Sequence, residues 1–257
     1  MPNLIDTHAH IYLKEFHSDI AEIIVSAEEN GVKQILLPNI DENTIEPLQF
    51  LCECFEGVCY PMIGIHPCSV RLDFLNQIQI VSRELESSSY IAIGEIGLDY
   101  HWDKSLIPQQ KKAFEMQMDL ALQYKLPICI HARESMQDCI DLVKPYAKKG
   151  LRGVFHCFSG TYEQAIDIVN MNFHLGIGGV VTYKNSGLSE VIKNIPLQHI
   201  VLETDSPYLA PTPFRSKRNQ PSYLLHIANH VSEIYQLSLE EIAESTTHQA
   251  AHLFAIA

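Results

Sequence analysis

Along this chain, short apolar, β-branched runs recur at intervals, and each is followed by a longer stretch with helical spacing. The runs cover residues 4–6, 34–38, 59–65, 90–96, 127–131, 153–157, 173–178 and 199–203. Most are continuous rather than alternating, the pattern of strands buried on both faces of a parallel sheet. Helical spacing covers 18–30, 41–55, 72–86, 108–124, 134–148, 162–171 and 189–194, then 221–235 and 239–254 after the eighth run. Local signals set several boundaries. Asn30-Gly31 stops a helix, and Pro108 suits a first helical turn. Gly150 follows the basic pair Lys148-Lys149 at a helix end. Ser238 heads a capping box completed by Glu241.

Eight such units in 257 residues predict an α/β chain folded as a closed (β/α)8 TIM barrel, with one domain over residues 1–257. The rival is an open doubly wound sheet. The glycine-rich dinucleotide signature that often accompanies it is missing after the first run. Gly176-Ile177-Gly178-Gly179 echoes that signature, but no helix follows at once, so these read as small residues easing a strand end. No linker or composition break divides the chain. The first residues lack a basic segment and a long apolar core, so no signal peptide is expected. No apolar run approaches membrane-spanning length. The seven cysteines are odd in number and form no CxxC pair, which predicts free, buried thiols in a reducing, cytoplasmic setting. Cys52 and Cys54 read as core-facing and surface positions on one helix.

The net charge of −13 argues against non-specific coating of nucleic acid or anionic membrane. If the chain handles phosphate, the sign must reverse locally. The 13 histidines show where. In barrels of this kind chemistry sits at the C-terminal strand ends. Six of the eight runs deliver His, Glu or Asp there: His8 and His10, His66, Glu95, His131, His156, and Glu203 with Asp205. His8 and His10 are two residues apart, so strand periodicity puts both on one face. The same argument links Glu203 and Asp205. Such a cluster predicts a metal site.

The donors exceed the needs of one four-coordinate ion. Two divalent ions that bridge a hydroxide are the economical reading. His8, His10 and Asp205 would complete one ion, His131 and His156 the other, with Glu95 bridging. Asp205 is also a candidate general base. No lysine ends the fourth run, so Glu95 takes the place a carbamylated lysine would fill.

These residues resemble the TatD family of metal-dependent deoxyribonucleases, within the amidohydrolase-like barrels, essentially end to end. The carriers are Ile5-Asp6-Thr7-His8-Ala9-His10, Gly64-Ile65-His66-Pro67, Gly94-Glu95-Ile96-Gly97-Leu98-Asp99-Tyr100, His131-Ala132-Arg133, His156-Cys157-Phe158-Ser159-Gly160 and Glu203-Thr204-Asp205-Ser206-Pro207-Tyr208-Leu209. Residues 215–219 look like the family's basic loop after the last strand. The resemblance implies metal-dependent hydrolysis of DNA phosphodiesters, often from 3′ to 5′. It carries ligation onto His8, His10, Glu95, His131, His156 and Asp205, and makes His66 a substrate-side residue acting beside the catalytic pair Glu95 and Asp205. Glu203 is expected behind the ligands. Ser216 stands where a glycine is common and Gln249 where the family tail often has asparagine. Both departures lie outside the ligand set.

Expected substrate contacts are Arg133, Arg215, Lys217 and Arg218, with Tyr100 and its neighbours His101 and Trp102 as possible stacking groups. The expected partner is the end of a DNA strand, with no membrane and no obligate protein partner. His-rich ligation favours Zn²⁺, Mn²⁺, Co²⁺ or Ni²⁺, whereas the resemblance implies Mg²⁺-supported activity. The expectation is an enzyme active with Mg²⁺ or Mn²⁺ that retains Zn²⁺ or Ni²⁺ on purification. The alternative is an amidohydrolase or phosphotriesterase acting on a small molecule. A non-catalytic binding relative would have lost a ligand, and none is lost here.

Overall fold

The computed structural model describes residues 2–256. Its strands are β1 (Leu4–Asp6), β2 (Val32–Leu37), β3 (Cys59–Ile63), β4 (Ala92–Asp99), β5 (Ile128–Arg133), β6 (Gly153–Phe155), β7 (His174–Ile177) and β8 (Ile200–Leu202). Its helices are α1 (Ile20–Glu29), α2 (Ile45–Cys54), α3 (Phe74–Ser87), α4 (Ile107–Tyr124), α5 (Met136–Ala147), α6 (Tyr162–Asn170), α7 (Leu188–Ile192), α8 (Leu224–Tyr235) and α9 (Leu239–Phe254).

The strands pair in chain order and every pair is parallel. Backbone bonds just beyond the strand ends bring β8 to β1. Thr7 N–H donates to the Leu202 carbonyl at 3.0 Å, Asp205 N–H to His8 at 2.8 Å and His10 N–H to Ser206 at 2.7 Å. The chain is therefore the expected (β/α)8 barrel rather than an open sheet. No helix among the described residues is long and apolar enough to cross a membrane.

Strand periodicity sorts the core into two layers. Leu4, Ile35, Leu37, Ile63, Ile93, Ile128, Ile130, Phe155, Ile200 and Leu202 pack with the helices. Their neighbours Ile5, Leu36, Met62, Ala92, Cys129, Val154 and Val201 form a second cluster with Ala250, Leu253 and Phe254 from the end of α9 and Ile256 just past it. The last helix therefore closes the floor of the barrel. Its start is held by the expected capping box, in which Ser238 accepts from the Glu241 backbone and Glu241 reaches back to Ser238.

One irregularity decides where the chemistry sits. Between β4 and β5, Ile93 pairs with Ile128 but Ile96 pairs with Ile130, so β4 carries one extra residue. Strict alternation would put Glu95 on the helix-facing side with Ile93. The bulge resets the phase, so that Ile96 faces the helices and Glu95 enters the barrel. Several strands also stop earlier than expected, because their last residues leave strand geometry to reach the mouth. Asp205 is in the left-handed region at φ 58°, so it is this backbone turn, rather than period-two spacing from Glu203, that aims it. All seven cysteines are unpaired. Cys52 is partly buried and Cys54 exposed on α2, as expected, but Cys68 is exposed as well, so free thiols are not all buried.

Phe254→Ala is expected to cost about 3–5 kcal/mol in equilibrium urea unfolding, because it empties the barrel floor. Val25→Ala, at an exposed position on α1, should stay within about 0.5 kcal/mol. Equal losses would overturn the role given to the tail of α9.

Candidate metal centre

Beyond β1 the chain stays extended enough for both histidines to converge, and His8 Nε2 lies 3.1 Å from His10 Nε2. Glu95 enters between these two and the histidines delivered by β3, β5 and β6. Its Oε2 is 3.2 Å from His8 Nε2 and 3.4 Å from His10 Nε2. Its Oε1 is 2.8 Å from His131 Nδ1, 2.9 Å from His156 Nε2 and 3.4 Å from His66 Nε2. Asp205 Oδ1 completes the His8 and His10 side at 3.7 and 3.6 Å. The structure thus brings together every residue expected at the centre, with His66 as close as the others.

The outer nitrogens decide what each ring presents inward. Tyr12 donates its hydroxyl to the Pro38 carbonyl at 2.6 Å, so its oxygen is left to accept from His10 Nδ1 at 2.9 Å. His10 Nε2 then offers a lone pair. Asp99 Oδ2 lies 2.9 Å from His131 Nε2, so His131 offers Nδ1. His156 Nδ1 faces Glu203 Oε1 at 3.5 Å, and His8 Nδ1 faces Cys129 Sγ at 3.2 Å. For His10 and His131 this backing fixes the tautomer, whereas His156 Nδ1 faces Glu203 without a hydrogen bond. His66 differs, because its Nδ1 accepts from the Cys68 backbone N–H at 3.1 Å. A neutral His66 therefore carries its proton on Nε2 and points an N–H donor at the centre.

Electrostatics follow the same division. Burial alone would raise Glu95, but His156, His66 and His8 outweigh it and hold its carboxyl well below the usual range. Asp205 is likewise lowered against burial by His10, His156 and His8. Burial opposes charge on His10, yet Asp205 and Glu95 push it up to about 9. His131 and His156 rise for similar reasons, beside Asp99 and Glu95 and beside Glu95 and Glu203. His8 and His66 are lowered, chiefly by burial.

The donor set fits a metal. Donors ~2.0–2.1 Å from a tetrahedral ion stand ~3.3–3.4 Å apart, close to the 3.1 to 3.4 Å spacing of His8, His10 and Glu95. Three groups satisfy ligand spacing: His8, His10 and Glu95; His8, His156 and Asp205; His66, Glu95 and His131. The second group sets His156 with His8, whose rings stack at 3.8 Å, whereas the sequence reading paired His156 with His131.

Glu203 is fully buried and accepts from the Cys157 backbone N–H. A Cβ on Gly176 would stand 2.2 Å from Glu203 Oε2, so this glycine leaves room for the carboxylate behind His156. That gives it a more specific role than easing a strand end. Sequence reasoning missed Asp99 and Tyr12 as groups that hold ligands from behind. Their signals were present, since Tyr12 lies two residues past His10 and Asp99 four past Glu95.

The expected substrate contacts are dispersed. Arg218 pairs with Asp19 at 2.5 Å and lies over Phe16, tethering the loop after β8 to the start of α1. Its cation is engaged there. Arg215 lies over Tyr183 and Lys217 over Phe214. Tyr100 gives its hydroxyl to Asp138 at 2.6 Å, and Asp138 also binds Lys111. Tyr100 thus braces its loop, while Trp102 beside it stays in solvent with Arg133 over its ring.

Comparison with known proteins places this geometry. The family model for TatD-related DNases matches residues 5–255. The chain is similar to an uncharacterised metal-dependent hydrolase, YabD, of Bacillus subtilis, with 39% identity across 98% of this chain and 99% of the relative. It is 30% identical to a protein of Pantoea ananatis named a 3′-5′ ssDNA/RNA exonuclease, across 98% of this chain and all of that one. The crystal structure of the Escherichia coli K12 TatD homolog YjjV superposes with a TM-score of 0.91 at 28% identity, covering 99% of this chain and 98% of the other.

Metal must displace the proton that His10 holds at neutral pH, and His131 and His156 are pushed in the same direction, so apparent affinity should rise as pH climbs through about 9, where His10 loses its proton. Calorimetric titration at pH 7 in two buffers of different ionisation heat should show net proton release, and identical heats would contradict it. The same raised groups stabilise the metal-free fold fully below the ordinary histidine range, and the part owed to His10 is lost as pH climbs through about 9. The lowered His8 and His66 act in the opposite sense below that range. Glu203→Gln should weaken metal affinity by roughly 10–100-fold, read by metal titration against a competing chelator.

Proposed function

Because the chain belongs to the TatD-related DNase family, and is a metal-dependent hydrolase, we propose that it removes nucleotides from the 3′ ends of DNA strands with two divalent ions. The observation that carries this reading is the division of the imidazoles between the two oxygens of Glu95. Oε2 faces His8 and His10, and Oε1 faces His131 and His156. On this reading His8, His10 and Asp205 would hold one ion and His131 and His156 the other, with Glu95 lying between the two sets. Ions there supply Lewis acidity and a water ionised near neutral pH.

The chain's own residues do the rest. Asp205 stays a carboxylate in the buried site and takes the proton of the attacking water at its oxygen. Neutral His66 directs its Nε2 hydrogen toward the scissile phosphate and stabilises charge gathering on it. Arg133, two residues beyond His131 on β5, offers a planar fork to the phosphate. The ends of Tyr12, Asp99 and Glu203 hold the rings in place while this happens. A nucleic-acid substrate is supported by the relatives named as 3′-5′ ssDNA/RNA exonucleases and by the cations Arg215 and Lys217 on the loop after β8.

The test is end-labelled single- and double-stranded DNA incubated with metal-loaded protein. Wild type should shorten strands stepwise from the 3′ end, and Asp205→Asn should lose about 100-fold or more. Equal cleavage by both would remove Asp205 from its role. His66→Ala should lower kcat while bound metal is unchanged, whereas His131→Ala should lose metal. If His66→Ala loses metal too, His66 is a ligand instead. Failure of wild type to cut any strand with Mg²⁺, Mn²⁺ or Zn²⁺ would sink the reading.

A further inference from the structure

Trp102 is the only tryptophan of the chain and is 68% exposed, on the loop between β4 and α4. A large indole left to water buries little of its own loop. Yet this loop is firmly held. Asp99 Oδ1 accepts from the backbone N–H groups of His101 at 2.9 Å and Trp102 at 3.1 Å. The other oxygen of the same carboxylate is 2.9 Å from His131 Nε2. One buried side chain therefore fixes both an imidazole of the metal centre and the backbone that presents the indole. Arg133 adds a second link. It lies two residues past His131, ~6.6 Å along the strand, and its guanidinium is 5.4 Å from the Trp102 ring centroid. His101 packs edge-on at 5.0 Å and is itself held by Glu134 at 2.7 Å. The indole is thus held on a loop tied to the centre through Asp99 and Arg133, with much of its surface free.

We propose that Trp102, backed by Arg133, is a stacking subsite for the base of the nucleotide adjoining the scissile phosphate. The proposal rests on the nuclease reading above and names the part of the substrate that this loop recognises. Stacking on an indole is available to every base, so the subsite is indifferent to sequence. It is not indifferent to strandedness. A base inside a duplex already has its faces covered, and it reaches Trp102 only after unstacking. The subsite therefore favours unpaired ends, with Arg133 free to share its fork between ring and phosphate. Asp99 is a positioning residue for this subsite, since it touches neither base nor phosphate.

A sole tryptophan makes the test direct. A fluorescein-labelled single strand reports binding by anisotropy, while emission excited at the red edge of the indole band, where the tyrosines do not absorb, reports Trp102 alone. Saturating strand should quench that emission, and a strand with abasic sites at its last two 3′ positions should bind without quenching. In cleavage assays Trp102→Ala should raise KM for the normal single strand about tenfold or more, and Trp102→Phe should recover much of the loss. The difference between wild type and Trp102→Ala should vanish on the abasic strand and shrink on blunt duplex. A strand that binds and is cut with no change in emission, or a Trp102→Ala effect that persists on the abasic strand, would overturn the subsite and leave the nuclease reading standing. Absence of cleavage of every strand would overturn both.

Discussion

A carboxylate buried among five imidazoles is the constraint on which the rest of this molecule depends. Taking an ion out of water costs several kcal/mol unless partners replace the lost hydration. Glu95 is almost wholly buried and has such partners on every side, in His8, His10, His66, His131 and His156. Tyr12 and Asp99 fix His10 and His131 from behind, and Glu203 and Cys129 lie behind His156 and His8. The arrangement is a shell around a shell. It leaves lone pairs pointing inward in a layer that rests on the apolar interior, which α9 closes from below.

That layering reconciles the acidity of the chain with a weakly negative mouth. Glu95, Asp99, Glu203 and Asp205 are four of the 31 carboxylates, and all are buried against imidazoles or backbone N–H groups. They contribute little negative field to the mouth. Cations divide into two kinds. Arg218 is spent on Asp19 and keeps the loop after β8 in place. Arg133 stacks on an exposed indole near the centre, where it can meet a ligand. Charge counted over the whole chain is thus a poor guide to the field at one rim, because position and pairing set the local sign.

Much of this was legible in the residues. The eight apolar runs announced parallel strands because both faces of each are covered, and the polar residues that end them announced a site because buried His and carboxylate need partners. His8 and His10 could be grouped from two-residue spacing alone. Glu95 could be chosen, but its inward aim could not be derived, since alternation from Ile93 points it outward and only the bulge against β5 corrects that. Asp205 was grouped with Glu203 by a periodicity that the chain abandons at Leu202. Tyr100 looked like the stacking group of its loop, yet its hydroxyl is taken by Asp138 from α5, a contact 38 residues away in sequence.

The sequence by itself determined the number of repeating units, the chemistry of the donors and the end of the barrel at which they gather, because strand burial and ligand type are local properties. Tertiary structure decided which atom of each ring faces the centre. Closure of the ring sets Asp99 behind His131 and Glu203 behind His156, while the N–H of Cys68, two residues on, caps His66 locally. The Asp99 contact turns Nδ1 of His131 to the centre, and the Cys68 cap makes His66 a donor. A histidine carries one mobile proton, and the neighbour that takes it comes from a distant part of the chain more often than from its own motif.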